Sequence, residues 1–122
     1  MFSFLRPSGP KVKRIAPAEA VARAERGELT ILDVRELSEL KTSGKARGAV
    51  HVPLATVPMR MNPGMGEVPE GVTLDRPICL YCAAGGRSGR AAEVLLGLGY
   101  TEVYNLGGFG DWLAGGGKTE KI

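Results

Sequence analysis

Residues 77–96, Pro-Ile-Cys-Leu-Tyr-Cys-Ala-Ala-Gly-Gly-Arg-Ser-Gly-Arg-Ala-Ala-Glu-Val-Leu-Leu, join a short apolar run to a glycine-rich turn and then to an amphipathic segment. The apolar run at 78–81 follows a proline, a pattern that favours a buried β-strand. Further on, apolar residues recur at the helical spacing i, i+3, i+4 and i+7: Ala91, Val94, Leu95 and Leu98. We therefore expect a strand, a tight loop and a helix, with Cys82 where the strand turns into the loop.

The predicted loop runs from Cys82 to Arg87, and the four residues between them carry no side chain larger than a methyl group. Such a loop can curl until successive backbone N–H groups point at one centre. The positive end of the following helix points at the same centre. Because the N–H dipoles and Arg87 both favour negative charge, we expect Cys82 to be an activated nucleophile in an anion-binding cradle.

Strands and helices alternate along the rest of the chain. Further strands are predicted at 12–15, 29–34, 49–52 and 102–104, and helices at 17–26, 36–42 and 56–61, with a last short helix or turn from 107. This alternation favours an α/β fold with a central, mostly parallel five-stranded sheet flanked by helices. In such sheets, sites lie beyond the carboxyl ends of the strands, where both Cys82 and the 33–35 turn are placed.

The chain length fits one domain, which we place at 12–114 between an N-terminal tail at 1–11 and a C-terminal tail at 115–122. The last nine residues are rich in glycine and charge, so we expect them to be loosely held.

Composition excludes several classes of protein. The net charge of +3 suits a small anionic substrate, and no block of like charges indicates nucleic-acid binding. No apolar run approaches the ~18 residues of a membrane span. The apolar start at 1–7 is too short for the apolar region of a secretory signal, and two cysteines make no disulfide framework. We therefore expect a cytoplasmic protein.

Cys79 and Cys82 form a Cys-x-x-Cys spacing, which leaves a dithiol oxidoreductase as an alternative. Cys79 falls inside the predicted strand, however, and residues three apart on a strand face opposite ways. We therefore favour a core thiol for Cys79. The single histidine, His51, lies in a predicted strand with no cluster of metal ligands around it, so a structural or surface role is preferred and no metal site is predicted.

Three charged residues lie at the end of the second predicted strand or just after it: Asp33, Arg35 and Glu36. Asp33 and Arg35 are possible organisers of the site, and a structural ion pair is at least as plausible from the sequence. Phe109 and Trp112 are expected mainly to pack the last segment, while the preceding Gly-Gly turn is a possible wall of the pocket.

Four segments, in this order and spacing, resemble the rhodanese-like family of single-domain thiosulfate sulfurtransferases. They are Leu-Asp-Val-Arg-Glu at 32–36, Gly-Ala-Val-His-Val-Pro at 48–53, Tyr-Cys-Ala-Ala-Gly-Gly-Arg-Ser at 81–88 and Leu-Gly-Gly-Phe-Gly-Asp-Trp at 106–112. The resemblance covers most of the chain. In phosphatases that share the fold, five residues separate cysteine and arginine; here four intervene, which matches sulfur transfer.

The resemblance implies a thiosulfate:cyanide type of sulfurtransferase. Cys82 would take the outer sulfur of thiosulfate or another small anionic sulfane donor as a persulfide, and cyanide, a thiol or a protein acceptor would remove it. The substrate-binding residues would be Ala83, Ala84, Gly85, Gly86, Arg87 and Ser88, with Arg87 on the donor. No metal or organic cofactor is needed. The alternative is a sulfur-relay module that carries persulfide to a partner protein with little thiosulfate turnover.

Overall fold

The computed structural model describes residues 9–122, so most of the predicted tail at 1–11 lies outside the described residues. The strands are Lys13–Arg14 (β1), Thr30–Asp33 (β2), Lys45–Ala46 (β3), Val50–His51 (β4), Ile78–Cys82 (β5), Val103–Gly108 (β6) and Thr119–Glu120 (β7). The α-helices are Pro17–Glu25 (α1), Leu37–Ser43 (α2), Val57–Arg60 (α3), Gly86–Leu98 (α4) and Phe109–Ala114 (α5), with 3-10 turns at Leu54–Thr56 and Pro63–Met65.

Five of these strands form the central sheet in the order β1-β6-β5-β2-β4, and every neighbouring pair is parallel. The predicted fold class, an α/β domain with a five-stranded parallel sheet flanked by helices, is confirmed. β5 lies in the middle of the sheet, and all five of its residues are buried. The strand that ends in Cys82 is therefore the most protected strand of the fold.

Side chains of β5 alternate between two cores, one on each face of the sheet. Cys82 belongs to the core that packs against α3 and α4, together with Leu80 and Leu95. Cys79 and Tyr81 belong to the core that includes Val21 of α1 and Trp112 of α5. Burial raises the pKa of Cys79 to about 12, so this thiol stays protonated at neutral pH. The predicted opposite orientation of the two cysteines and the burial of Cys79 are confirmed.

Helix α4 begins earlier than the sequence predicted. Gly85 takes a left-handed conformation, with φ of 107°, and the chain is helical from Gly86 onward. Arg87 and Ser88 therefore lie in the first helical turn, and the prediction that the loop extends to Arg87 is wrong. Gly99, also left-handed, ends the helix, as the two closing glycines predicted.

The C-terminal segment is held more firmly than expected. β7 pairs with β3 in an antiparallel two-stranded sheet, Lys45 and Glu120 form an ion pair, and Trp112 Nε1 donates to the Lys118 carbonyl over 2.7 Å. The expectation of a loose end at 114–122 is wrong because β3 contributes a partner from a distant part of the chain. In the described part of the chain, each helix is too short or too polar to cross a lipid bilayer.

Candidate active site

The candidate site is built where β5 ends and α4 begins. Cys82 is the last residue of β5 and is 1% exposed, while the neighbouring Ala83 and Ala84 are exposed. Its Sγ accepts the backbone N–H of Gly85 over 3.0 Å and that of Ser88 over 3.4 Å, and the Ser88 hydroxyl also lies 3.4 Å away. The thiol therefore sits at the bottom of a cradle of hydrogen-bond donors.

These contacts decide the protonation of Cys82. Burial is the largest single influence and favours the neutral thiol, but the donors from Ser88, Gly85 and Ala84 together outweigh it. The pKa of Cys82 is therefore lower than its ordinary value, the opposite of Cys79. The pKa values of two thiols three residues apart are thus shifted in opposite directions, because Cys82 lies at the N-terminus of α4 and Cys79 lies in the core.

The curl of the loop depends on contacts with β6. Gly85 is left-handed, and a Cβ at this position would lie 3.3 Å from the Gly107 Cα. A Cβ on Gly108 would approach the Ala83 carbonyl oxygen to less than 3.0 Å, a separation that real Cβ atoms essentially never show. The predicted role of the Gly-Gly turn as a wall of the site agrees with this close packing against the loop backbone.

Asn105 is a polar residue of β6 that the sequence analysis did not identify. Its Oδ1 lies 2.8 Å from the Ser88 hydroxyl and accepts the Gly107 N–H, and its Nδ2 donates to the Gly85 carbonyl. Asn105 therefore links the loop, the first turn of α4 and the neighbouring strand. The sequence feature that could have identified it is an amide side chain inside an otherwise apolar strand, because a buried amide needs a hydrogen-bond partner.

Arg87 points to a carboxylate that the sequence analysis also missed. Its Nη1 and Nη2 lie 2.7 and 2.9 Å from the two oxygens of Glu39, a bidentate ion pair between α4 and α2. The pKa of Arg87 is raised by Glu39 first, and the Cys82 thiolate contributes in the same direction. Arg87 is thus close enough to the thiolate for electrostatic influence, but its guanidinium is already paired.

Asp33 and Arg35 form a buried ion pair, with Arg35 Nη2 2.8 Å from Asp33 Oδ2. The Tyr81 hydroxyl donates to the same carboxylate oxygen and accepts the Ala46 N–H. Since Tyr81 packs on the face of the sheet opposite Cys82, this network does not reach the thiol directly. Arg35 also donates to Ser43 Oγ and the Gly44 carbonyl, so it anchors the end of α2, the helix that presents Glu39.

The aromatic and histidine side chains serve packing and backbone contacts. The ring of Phe109 lies 4.5 Å from the Arg35 guanidinium carbon, and Trp112 is 2% exposed. His51 Nε2 lies 2.6 Å from the Arg35 carbonyl oxygen, in agreement with the structural role preferred for it. The structure brings Cys82, Gly85 and Ser88 together in one cluster. The Asp33–Arg35 pair lies with Tyr81, on the face of the sheet opposite Cys82.

Comparisons with known proteins agree on one family. The model of the rhodanese-like domain matches residues 16–115. The chain is 40% identical over 99 residues to the uncharacterized protein YqhL of Bacillus subtilis, covering 80% of this chain and 69% of that protein. It is 30% identical over 103 residues to the thiosulfate sulfurtransferase GlpE of Pseudomonas putida, covering 84% of this chain and 86% of that one.

Among solved structures, a protein of unknown function from Rhodopseudomonas palustris superimposes with a TM-score of 0.77 at 27% identity. The match covers 89% of this chain and 85% of that one, and the protein is described as a possible tyrosine phosphatase.

Proposed function

This chain belongs to the rhodanese-like domain family of sulfurtransferases, and from that membership we propose that it moves sulfane sulfur on Cys82. The donor is thiosulfate or another persulfide-type compound, and the acceptor is cyanide or a thiol, free or on a protein. The observation that carries the proposal is the set of Gly85 and Ser88 donors directed at the Cys82 sulfur.

In the first step, the Cys82 thiolate attacks the outer sulfur of thiosulfate. A bond forms between Sγ and that sulfur, the S–S bond of thiosulfate breaks, and its electron pair leaves with sulfite. In the second step, cyanide attacks the terminal sulfur of the persulfide, which yields thiocyanate and returns the thiolate. Both leaving groups depart as anions, so neither step requires a proton donor, and a structural role for His51 is compatible with the reaction.

The cradle serves both forms of Cys82. The N–H groups of Gly85 and Ser88 lie within reach of the thiolate, and the same donors stabilise a terminal persulfide sulfur displaced toward the loop. The loop rim carries only methyl groups or hydrogen at Ala83, Ala84 and Gly86, and these residues are exposed. An acceptor thiol can therefore approach the buried sulfur without meeting a large side chain.

The four-residue spacing from Cys82 to Arg87 supports sulfur transfer over phosphate hydrolysis. A phosphoryl group needs room for three oxygens around the attacked atom, whereas transfer of a single sulfur atom needs only a compact cradle. Insertion of one glycine between Gly85 and Gly86 is expected to depress sulfur loading, since it moves the Ser88 donors away from the sulfur.

The test is the intact mass of purified protein after incubation with thiosulfate, followed by cyanide. Wild type is expected to gain one sulfur atom and to lose it on addition of cyanide. Cys82→Ser is expected to gain none, because an alcohol is not ionised at neutral pH, and Cys79→Ser serves as the matched control. A folded wild-type protein that takes no sulfur from thiosulfate or from a small-molecule persulfide would contradict the proposal.

A further inference from the structure

We propose that Glu39 sets the donor preference of this site: by neutralising Arg87, it disfavours the thiosulfate dianion and selects organic persulfides. The inference rests on the proposed function and deepens it. Cys82 and its loop accept sulfur from both kinds of donor. Glu39 makes the site less favourable for a donor that carries more negative charge.

The contact between the two side chains occupies the part of Arg87 that would bind an anion. Both terminal nitrogens of the guanidinium face the two oxygens of Glu39, at 2.7 and 2.9 Å. This fork-to-fork arrangement is the one in which a guanidinium also binds oxyanions. A thiosulfate ion that uses Arg87 must therefore displace Glu39 or accept a carboxylate beside it.

Glu39 is fixed in place by its own helix. Its Oε1 also accepts the Glu36 backbone N–H over 2.9 Å, which satisfies the first turn of α2. The other end of α2 is held by Arg35 through Ser43 and Gly44. Displacing the Glu39 carboxylate would therefore break this hydrogen bond as well as both contacts to Arg87.

Glu39 keeps its charge under all ordinary assay conditions. The hydrogen bond to Arg87 lowers the pKa of Glu39 to about 2. The charges of Arg87 and Glu39 therefore cancel at neutral pH, and Glu36 at the start of the same helix adds a further exposed carboxylate. Near the thiolate, the attraction available to an arriving dianion is correspondingly small.

An organic persulfide meets the same site with less charge. In its R–S–SH form, the outer sulfur is attacked by the Cys82 thiolate, the bond between the two donor sulfurs breaks, and the electron pair leaves with the thiolate RS⁻. The proton stays on the transferred sulfur, so no oxidant, reductant or further proton source is needed. The Gly85 and Ser88 donors act on the sulfur atoms in this step, and Arg87 is not required to bind an oxyanion.

The proposal is tested by the rate of sulfur loading on Cys82, followed by intact mass at a series of donor concentrations. The two donors are thiosulfate and the persulfide of 2-mercaptoethanol, whose organic part is uncharged. Glu39→Gln keeps the shape and the hydrogen bond to Glu36 but removes the charge. We expect it to raise the second-order rate constant for thiosulfate roughly tenfold, and to change that for the persulfide less than about twofold.

Glu36→Gln is the matched control, since it removes a carboxylate from the same end of α2 without breaking the contact to Arg87. An equal rise in both variants would overturn the proposal, because it would indicate a general effect of charge. The proposal would also be overturned if the ratio of the thiosulfate rate constant to the persulfide rate constant were unchanged or lower in Glu39→Gln than in wild type. Absence of loading by both donors in wild type would instead contradict the proposed function itself.

A second measurement needs no turnover and can be made on wild type first. Sulfate is an unreactive dianion similar in shape to thiosulfate. In wild type, we expect iodoacetamide to alkylate Cys82 at the same rate in sulfate as in chloride at equal ionic strength. Protection by sulfate at millimolar concentration would show that Arg87 binds dianions despite Glu39 and would overturn the proposal. If Glu39→Gln is folded, sulfate should protect that variant.

Discussion

The side-chain oxygen of Asn105 lies 2.8 Å from the hydroxyl oxygen of Ser88 and accepts its hydrogen. The same hydroxyl is 3.4 Å from Cys82 Sγ. Because a hydroxyl has one hydrogen to donate, the sulfur competes for it with Asn105 and with the Gly85 and Gly107 carbonyls, which lie 3.2 and 3.3 Å from the hydroxyl oxygen. Ionisation of Cys82 makes the sulfur the stronger acceptor, so the hydroxyl can turn toward the thiolate without a change in backbone structure.

Ser88→Ala tests this competition. The Ser88 hydroxyl is the largest of the contributions that lower the pKa of Cys82, so its removal should raise that pKa. The thiolate then forms at higher pH, and the pH profile of alkylation by iodoacetamide should move upward, with slower alkylation at neutral pH. Ser38→Ala, on the exposed face of α2, should leave the profile unchanged. An unchanged profile in Ser88→Ala would mean that the hydroxyl hydrogen does not turn toward the sulfur.

Gly108→Ala tests the contact between β6 and the cysteine loop. The added Cβ would meet the Ala83 carbonyl oxygen, which is backbone and cannot rotate away. We expect a loss of roughly 1–3 kcal/mol in the free energy of unfolding from urea titrations. Sulfur loading should also fall in the folded fraction, since the donors of the cradle move with the loop.

Gly110→Ala is the matched control, because a Cβ at that position meets no atom within 4 Å and the residue lies in α5. It should be neutral or stabilising by about 0.5–1 kcal/mol. If Gly108→Ala were as stable and as active as this control, close packing of β6 on the loop would not be what shapes the site.

The sequence predicted the parts of the site that are contiguous in the chain and missed those that depend on tertiary contacts. Cys82 and the five central strands follow from local patterns of apolar residues and glycine. Glu39 and Asn105 are 43 and 23 residues from Cys82, and their roles depend on how α2 and β6 are placed. The apolar spacing that predicts α4 begins only at Ala91, and the turn before it contains Gly86 and Gly89, which are weak helix formers. The strands β3 and β7 contain no apolar run and pair only with each other across a long stretch of chain, so no local pattern predicts them.

Tyr81→Phe tests whether the Asp33–Arg35 network is structural. The Tyr81 hydroxyl is buried, donates to Asp33 and accepts the Ala46 N–H over 2.9 Å. Its removal leaves a buried N–H without a partner, so we expect a loss of roughly 1–3 kcal/mol in unfolding free energy, measured in urea. Sulfur loading should be unchanged, since Tyr81 packs on the face of the sheet opposite Cys82.

Tyr104→Phe is a suitable control, because its hydroxyl bonds to the partly exposed Glu102 and should contribute less to stability. Loss of sulfur loading by a folded Tyr81→Phe protein would assign Asp33 and Arg35 a direct part in organising the site. Full stability of the variant would show that Ala46 and Asp33 find other partners.

Cys79→Ser separates sulfur transfer from dithiol redox chemistry. A disulfide between Cys79 and Cys82 would require two side chains on opposite faces of β5 to meet, and the raised pKa of Cys79, about 12, leaves no attacking thiolate at neutral pH. We therefore expect Cys79→Ser to load sulfur at the wild-type rate while losing roughly 1–3 kcal/mol of unfolding free energy, because it buries a hydroxyl in an apolar core. Loss of loading in a folded Cys79→Ser protein, with recovery on addition of a small-molecule thiol, would instead make Cys79 a participant in the reaction.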